Sequence, residues 1–294
     1  MNQRSDNARM IAAGEALALS SLVSPTAHGI ASRILAKTGG GNVTLFAFDT
    51  GAKRWRAYQS WPADGRATAS KLYLQPDGGL AFSAPPQGKA THAEYISDPA
   101  KPVPYRVRPV LSMYDDDSTW RKWLVDDQRP FSDRPDVLTF ASDVLTEPLT
   151  INGEVFATLF ASTTGTDADW VVKLIDVFPP EVRSNPELGG YQLMVSADIM
   201  RGRYRESLET AKAIEPGKIS PYRVRLPEVS HTFLPGHRIM AQVQSSWFPL
   251  YDRNPQTFVQ NIAKAKPSDF RVATHGIWFS PPQASFIELP VVRR

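Results

Sequence analysis

The chain has 294 residues, with 33 Lys and Arg against 30 Asp and Glu, 42% hydrophobic residues, 10% aromatic residues and no cysteine. This is the composition of a globular protein with a core, and it contains no run of about 18 apolar residues that could cross a membrane. The net charge of +3 is small and the basic residues form no stripe, so nucleic acid and membranes are excluded as partners. The lack of cysteine excludes disulfide scaffolds, thiolate metal sites and cysteine nucleophiles.

The first forty residues differ from the rest of the chain. Helix-forming residues dominate from Asp6 to Leu22, and Ser24-Pro25 ends the run, which predicts one helix. The run resembles a secretory signal, but Glu15 interrupts its apolar centre and no small-residue cleavage site follows, so we find no convincing signal peptide. With the glycines Gly39 to Gly41, residues 1–42 are interpreted as a helical leader and linker.

From Val43 onward the pattern is typical of many short strands separated by Pro, Gly, Asp and Asn. Helical crossovers are missing, which favours an all-β sandwich or jelly roll over a parallel sheet. The proline-rich stretch from Ser83 to Arg134 is predicted to be one long loop excursion with a short helical piece near Ser118 to Leu124. The predicted strands are Val43–Phe48, Trp55–Trp61, Lys71–Leu74, Leu80–Ser83, Val137–Ala141, Val155–Ser162, Trp170–Phe178, Tyr191–Met200, Pro221–Leu226, His237–Ser245, Phe270–Phe279 and Ser285–Leu289.

No catalytic motif can be identified, and we assign no catalytic residue, metal ligand or cofactor. The G-x-S-x-G motif of a serine nucleophile is absent, and Ser245 and Ser246 lack the flanking glycines and the helix of such a site. The five histidines show no metal-binding spacing. His231 and His237 bracket a predicted turn, where they either bind a metal or form structural hydrogen bonds, and we favour the second interpretation.

Two charged groups leave alternatives open. Asp167 and Asp169 stand just before an apolar strand, where they either order a turn or coordinate a cation. Three arginines fall within Arg201 to Glu206, and their guanidinium groups either bind an anion or form ion pairs with nearby acids.

Four long motifs in this order resemble the C-terminal part of α-amino-acid ester hydrolases. They are residues 165–177 (GTDADWVVKLIDV), 201–207 (RGRYRES), 231–238 (HTFLPGHR) and 245–257 (SSWFPLYDRNPQT). The wider family includes X-Pro dipeptidyl peptidases, cocaine esterases and β-lactam acylase-type esterases. The resemblance runs from about Val43 to Val292 and implies that residues 43–294 form a galactose-binding-like jelly roll, the non-catalytic C-terminal domain of that family.

The resemblance also implies what the 294 residues do not contain. Members of the family carry the nucleophilic serine, the acid and the histidine on an α/β-hydrolase domain, and His28 lacks the sequence context of that histidine. The expected function is therefore that of a truncated or split hydrolase, inactive alone, whose partner is a catalytic hydrolase domain in trans or a second copy of the chain. The family further implies a periplasmic or secreted protein, although the compartment stays unknown from the sequence.

In the family, the jelly roll borders the mouth of the active site. This implies that the 245–257 loop and the 100–127 segment face a substrate or partner, since aromatic and arginine side chains are enriched at such surfaces. The residues proposed for this surface are Trp247, Phe248, Tyr251, Arg253 and Asn254.

Two other functions remain open at this point. The chain is alternatively a stand-alone jelly-roll module that binds a carbohydrate or a peptide, with Trp55, Tyr58 and Trp61 as a stacking face. The second alternative is a residual hydrolase with an unrecognised nucleophile.

Overall fold

A computed structural model describes residues 35–39, 42–62, 65–87, 91–112, 114–115 and 120–292. In chain order the strands are β1 (Leu35–Gly39), β2 (Asn42–Asp49), β3 (Arg54–Tyr58), β4 (Ala67–Leu74), β5 (Gly79–Ala81), β6 (His92–Ser97), β7 (Leu138–Ser142), β8 (Leu149–Thr163), β9 (Asp169–Val177), β10 (Gln192–Arg201), β11 (Ser220–Phe233), β12 (Arg238–Gln244), β13 (Ala273–Trp278) and β14 (Phe286–Val292). Helical segments within these ranges are short: α1 (Arg129–Ser132) and 3₁₀ turns at Trp120–Val125, Pro186–Leu188, Gly202–Tyr204, Ile262–Lys264 and Pro267–Asp269.

The strands form two sheets. A small antiparallel sheet has the order β1-β2-β3, and a large sheet has the order β10-β9-β12-β7-β5-β4-β14-β8-β13-β6, with β11 paired to the other edge of β8. The large sheet folds over itself at β5, which pairs in parallel with β7 and antiparallel with β4. The predicted all-β jelly-roll sandwich is confirmed.

One core lies between the two layers of this sandwich. Strand β9 contributes Trp170, Val172 and Leu174, and these pack with buried side chains of β8, β11, β12 and β14. In β8 the buried and outward positions alternate over much of its length, as the two-residue period of a strand requires. Strand β9 is different because nearly all its residues are buried on both faces, and its outer face is therefore covered as well.

A buried carboxylate joins the small sheet to the outer face of β11. Asp49 is fully buried and accepts hydrogen bonds from the backbone N–H (3.0 Å) and the hydroxyl (2.5 Å) of Thr232 and from Arg56 Nε (2.7 Å). Burial alone would raise the pKa of Asp49, but these hydrogen bonds outweigh it and hold the pKa below its usual value. Gly51 is required beside it, because a Cβ there would lie 2.0 Å from the carbonyl oxygen of Thr232.

Several strands differ from the sequence prediction, and two of these differences have clear physical reasons. Strand β11 continues to Phe233, whereas the prediction ended it at Leu226 before Pro227. The proline is accommodated because the pairing with β8 shifts between Leu226 and Val229, which removes the need for its missing N–H. Strand β6 lies inside the stretch predicted to be a loop excursion, because an edge strand with mixed polarity carries a weak hydrophobic pattern.

The other described residues of the 83–134 excursion have little regular structure, and their helical segments are the 3₁₀ turn Trp120–Val125 and α1. The predicted leader helix, Asp6 to Leu22, lies outside the described residues. Strand β1 falls within the predicted linker and pairs with β2, and the boundary between residues 42 and 43 stays a prediction. No helix in the described part of the chain has the length and apolar character needed to span a bilayer.

Candidate functional site

The 245–257 loop and the described residues of the 100–127 segment form one continuous surface. The two run side by side because Phe248 N–H donates to Val103 O (3.0 Å) and Tyr105 N–H donates to Phe248 O (2.9 Å). Ser246 Oγ accepts from Val103 N–H at 2.8 Å, and Ser245 Oγ lies 2.6 Å from the hydroxyl of the buried Tyr95. Both serine hydroxyls therefore have structural partners.

Trp247 anchors this surface to the sandwich. Its side chain is only 3% exposed and packs with Tyr105 on Val171 and Met194, which lie on the outer face of β9 and β10. Tyr251 stacks on the Trp247 ring at 6.1 Å and donates its hydroxyl to Asp198, and burial raises the pKa of Tyr251 to about 12. Of the predicted partner-facing residues, Trp247 thus lies underneath the surface.

The tip of the 100–127 segment carries four exposed apolar side chains. Val107 is 58% exposed, Val110 37%, Leu111 40% and Tyr114 87%. A turn orders the end of this tip, because Ser112 N–H donates to an Asp115 carboxylate oxygen at 3.0 Å. Several exposed apolar residues within eight positions are typical of surfaces that proteins bury against a partner.

A groove of about 500 Å³ runs beside the loop. Phe248 and Phe270 stand on either side of Arg253, whose guanidinium lies 5.5 and 5.2 Å from the two ring centres. Arg253 Nη1 also donates to Pro99 O at 2.8 Å, which fixes the side chain. The groove is mostly apolar, and Arg253 and Asp252 are the charged residues among those that line it.

Asn254 holds the far end of the loop. Its side-chain amide donates to Asp169 Oδ1 at 2.8 Å, and both residues are buried. Burial raises the pKa of Asp169 to about 7, against the lowering effect of Arg201, whose Nη1 lies 3.6 Å away. Neighbouring Asp167 is also buried and accepts two hydrogen bonds from Arg203 at 2.8 and 2.5 Å.

These contacts connect three of the sequence motifs. The cations beside Asp167 and Asp169 are arginines of the 201–207 motif, and Asp167 Oδ1 also accepts from Ala168 N–H, as in a turn. Arg205 donates to the carbonyl groups of residues 202, 212 and 213 and also forms an ion pair with Glu206 at 3.4 Å. Within the described ranges, no group of three or more His, Asp or Glu residues is arranged to hold a metal.

Lys173 is a buried amine that sequence reasoning missed. It is fully buried on the outer face of β9, where Nζ donates to Gln128 Oε1 at 3.0 Å. The amine lies 4.7 Å from the Phe131 ring centre and 5.4 Å from that of Trp247. Burial lowers its pKa from 10.5 to about 7. The available signal was a lone lysine inside the apolar run WVVKLIDV.

A second missed group joins both histidines of the 231–238 motif to one carboxylate. Asp176 accepts from His231 Nε2 at 3.2 Å and from His237 Nδ1 at 2.8 Å, and Thr50 Oγ1 lies 2.7 Å from His231 Nδ1. The order hydroxyl, imidazole, carboxylate is that of a catalytic triad. However, His231 is fully enclosed and Asp176 is shared by two imidazoles, which fits a structural cross-link of β9, β11 and the β2–β3 turn.

Burial alone would raise the pKa of Asp176, but the hydrogen bonds from the two histidines outweigh burial and lower it. The carboxylate therefore stays ionised and can hold both rings. The histidines make structural hydrogen bonds, as favoured from the sequence, but to a carboxylate from a distant strand.

Known proteins similar to this chain include a protein family, an esterase and solved structures of two hydrolases. Residues 37–288 match the family model of the X-Pro dipeptidyl-peptidase C-terminal non-catalytic domain. Over 254 residues the chain is 36% identical to the cocaine esterase of Rhodococcus sp. (strain MB1 Bresler), a match that covers 84% of this chain and 41% of the esterase.

The two solved structures are more similar in sequence. An aminopeptidase from a marine sediment archaeon, Thaumarchaeota archaeon, is 56% identical with a TM-score of 0.81, and an α-amino acid ester hydrolase is 53% identical with a TM-score of 0.80. Each match covers 84% of this chain and 40% of the solved one. The chain thus spans about 40% of the length of these relatives.

Proposed function

Since the chain belongs to the family of X-Pro dipeptidyl-peptidase C-terminal non-catalytic domains, we propose that it is the jelly-roll part of a serine hydrolase that acts on esters or amides of α-amino acids. The single observation that carries this proposal is the identity above 50% to an aminopeptidase and an α-amino acid ester hydrolase over 84% of this chain. The partner of the jelly roll is then an α/β-hydrolase domain that supplies the serine nucleophile.

The surface built from the 245–257 loop and the 100–127 segment is the proposed contact with that domain. Its exposed apolar tip supports this, because burying Val107, Leu111 and Tyr114 against another domain removes apolar area from water. The buried anchors Trp247 and Asn254 support it further, since they hold the loop in one conformation before association.

The test combines this chain with the separately expressed catalytic part of the α-amino acid ester hydrolase. Turnover of a chromogenic α-amino-acid ester is measured for each component alone and for the mixture, and complex formation is measured by sedimentation. We expect no turnover by this chain alone and a complex on mixing. Turnover by the chain alone that a serine-directed phosphonate abolishes would instead establish an unrecognised nucleophile.

A matched pair of variants locates the contact. Leu111→Asp places a charge on the proposed surface, whereas Leu208→Asp makes the same change at a residue that is 81% exposed elsewhere. Both side chains are exposed, so both variants are expected to fold. Complex formation is expected to weaken at least tenfold in L111D, since burial of an unpaired charge is costly, and to stay unchanged in L208D. Equal binding by both variants contradicts the proposed surface. If the chain self-associates and only L111D abolishes this, the surface is instead a contact with a second copy of the chain.

A further inference from the structure

A cavity of about 800 Å³ lies between the small sheet and the large one. Arg56 and Tyr58 of β3 line one side, and Thr150, Thr232 and Val292, from strands β8, β11 and β14, line the other. The 245–257 loop covers β9 and β10, in the opposite layer of the sandwich. The cavity is therefore separate from the proposed contact with the hydrolase domain, and its volume is in the range of small-molecule sites.

The charge that faces this cavity is positive. Arg54, Arg56 and Arg66 all line it, and none of its lining residues in the described part of the chain is acidic. Asp49 pairs with Arg56 from behind and is itself fully buried. The guanidinium of Arg54 forms no hydrogen bond or ion pair with any residue that the structure describes, and the side chain is exposed. A group that enters the cavity thus meets the exposed guanidinium of Arg54 and that of Arg56, whose Nε is paired with Asp49.

One of these guanidinium groups is already held in place. Arg56 donates through Nε to Asp49 at 2.7 Å and through Nη2 to the Thr232 hydroxyl at 3.2 Å, and its side chain keeps 27% exposure. The Thr150 hydroxyl lies 2.8 Å from that of Thr232 and adds a second polar group to the same wall. A preorganised cation loses little conformational freedom when it binds an anion.

Flat apolar surfaces accompany the charge. Trp55 is 45% exposed and Tyr58 is buried, and both line the cavity together with Leu234 and Val292. A lining that contains both guanidinium groups and aromatic residues matches a ligand that carries an anionic group next to a ring.

From this constellation we propose that the cavity binds a small organic anion, a carboxylate or phosphate attached to a ring. The concave shape favours a small molecule over an acidic protein segment, because the cavity is a recess between two sheets, partly open to solvent, rather than a flat surface. This site is independent of the proposed hydrolase function.

The experiment is calorimetric titration of the full chain with benzoate and with phenyl phosphate at low salt, with benzamide as the neutral control. We expect saturable binding of at least one anion at a single site, weakened by added salt, and no binding of benzamide. Arg54→Gln is expected to weaken the anion at least about tenfold, because one charged hydrogen-bond donor is lost. Arg183→Gln removes one exposed charge outside the cavity and is expected to change nothing.

Four results would overturn the proposal. The first is that neither anion binds at about 10 mM, and the second is that R54Q and the unaltered chain bind the anion with equal affinity. The third is that benzamide binds as tightly as benzoate. The fourth is that a poly-glutamate peptide binds whereas neither small anion does. The last result would assign the cavity to an acidic protein segment. Arg56 is left unchanged because it also holds Asp49, and the melting temperature of R54Q checks that its fold is intact.

Discussion

Replacing Lys173 by Met is expected to stabilise the protein at neutral pH. The amine is fully buried, has one hydrogen bond, to Gln128 Oε1, and is flanked by the rings of Phe131 and Trp247. Burial lowers its pKa from 10.5 to about 7, and 3.5 pH units at about 1.36 kcal/mol each give an upper limit of about 5 kcal/mol. Met is an unbranched apolar chain of similar length, but it leaves Gln128 Oε1 without a donor, which costs about 1–3 kcal/mol. The expected net gain at pH 7 is therefore about 3 kcal/mol.

The pH dependence distinguishes this explanation from a simple packing effect. Between pH 7 and 10.5 the unfolded chain keeps the lysine proton while the folded chain has released it, so the stability of the unaltered protein rises with pH. A methionine side chain does not titrate, and the advantage of K173M must therefore shrink by up to about 1.4 kcal/mol per pH unit above pH 7.

Urea unfolding followed by tryptophan fluorescence, at half-unit steps from pH 6.5 to 9.5, measures both effects. Lys218→Met is the matched control, because Lys218 is 61% exposed and forms only a surface pair with Glu215, so its stability should change little at any pH. A K173M protein that is less stable than the unaltered one at pH 7, or whose advantage is the same at every pH, refutes the reasoning.

Three further predictions concern buried contacts. Gly51→Ala is expected to destabilise the protein by about 2 kcal/mol or more, measured by urea unfolding, because its Cβ would meet the carbonyl oxygen of Thr232; an unchanged midpoint contradicts this. Asn254→Ala removes the amide that donates to the buried Asp169 and should lower the free energy of unfolding by about 1–3 kcal/mol. It should also weaken association with the hydrolase domain. A variant with unchanged stability and unchanged binding would refute the anchoring role. Burial lowers the pKa of His275 to about 3, so between about pH 6.5 and 3 the unfolded chain binds one more proton than the folded chain, and stability falls as the pH drops. In urea titrations, the stability of H275F should fall less steeply with decreasing pH over this range. A pH dependence that is the same in H275F and the unaltered chain contradicts this.

Much of the fold was predictable because the strands carry strong local patterns. The sequence of β9 is an apolar run because both faces of this strand are buried. In β8 apolar residues alternate with others because one face is buried. What could not be predicted depends on distant partners. Strand β6 is a strand because β13 lies beside it, and the continuation of β11 past Pro227 depends on a bulge formed with β8.

The same limit applies to the site. The sequence motifs identified the residues of the 245–257 loop, but they did not show that Trp247 lies buried underneath it. The orientation of the other side chains toward a partner stays a prediction. Asp176 and Lys173 were missed because both look like interruptions of a core strand, and their meaning depends on His231, His237 and Gln128, which lie 45 to 61 residues away.

The docking of the small sheet also determines the order in which the chain can fold during synthesis. Asp49 binds Thr232, which is 183 residues further along the chain, and Thr50 reaches Ser230 across 180 residues. At about 5–20 residues per second, a ribosome needs roughly 10–40 s to make that interval. During this time β2 and β3 have no large sheet to rest on, so their burial waits until β11 has emerged. The small sheet is thus locked in place only after β11 has been synthesised.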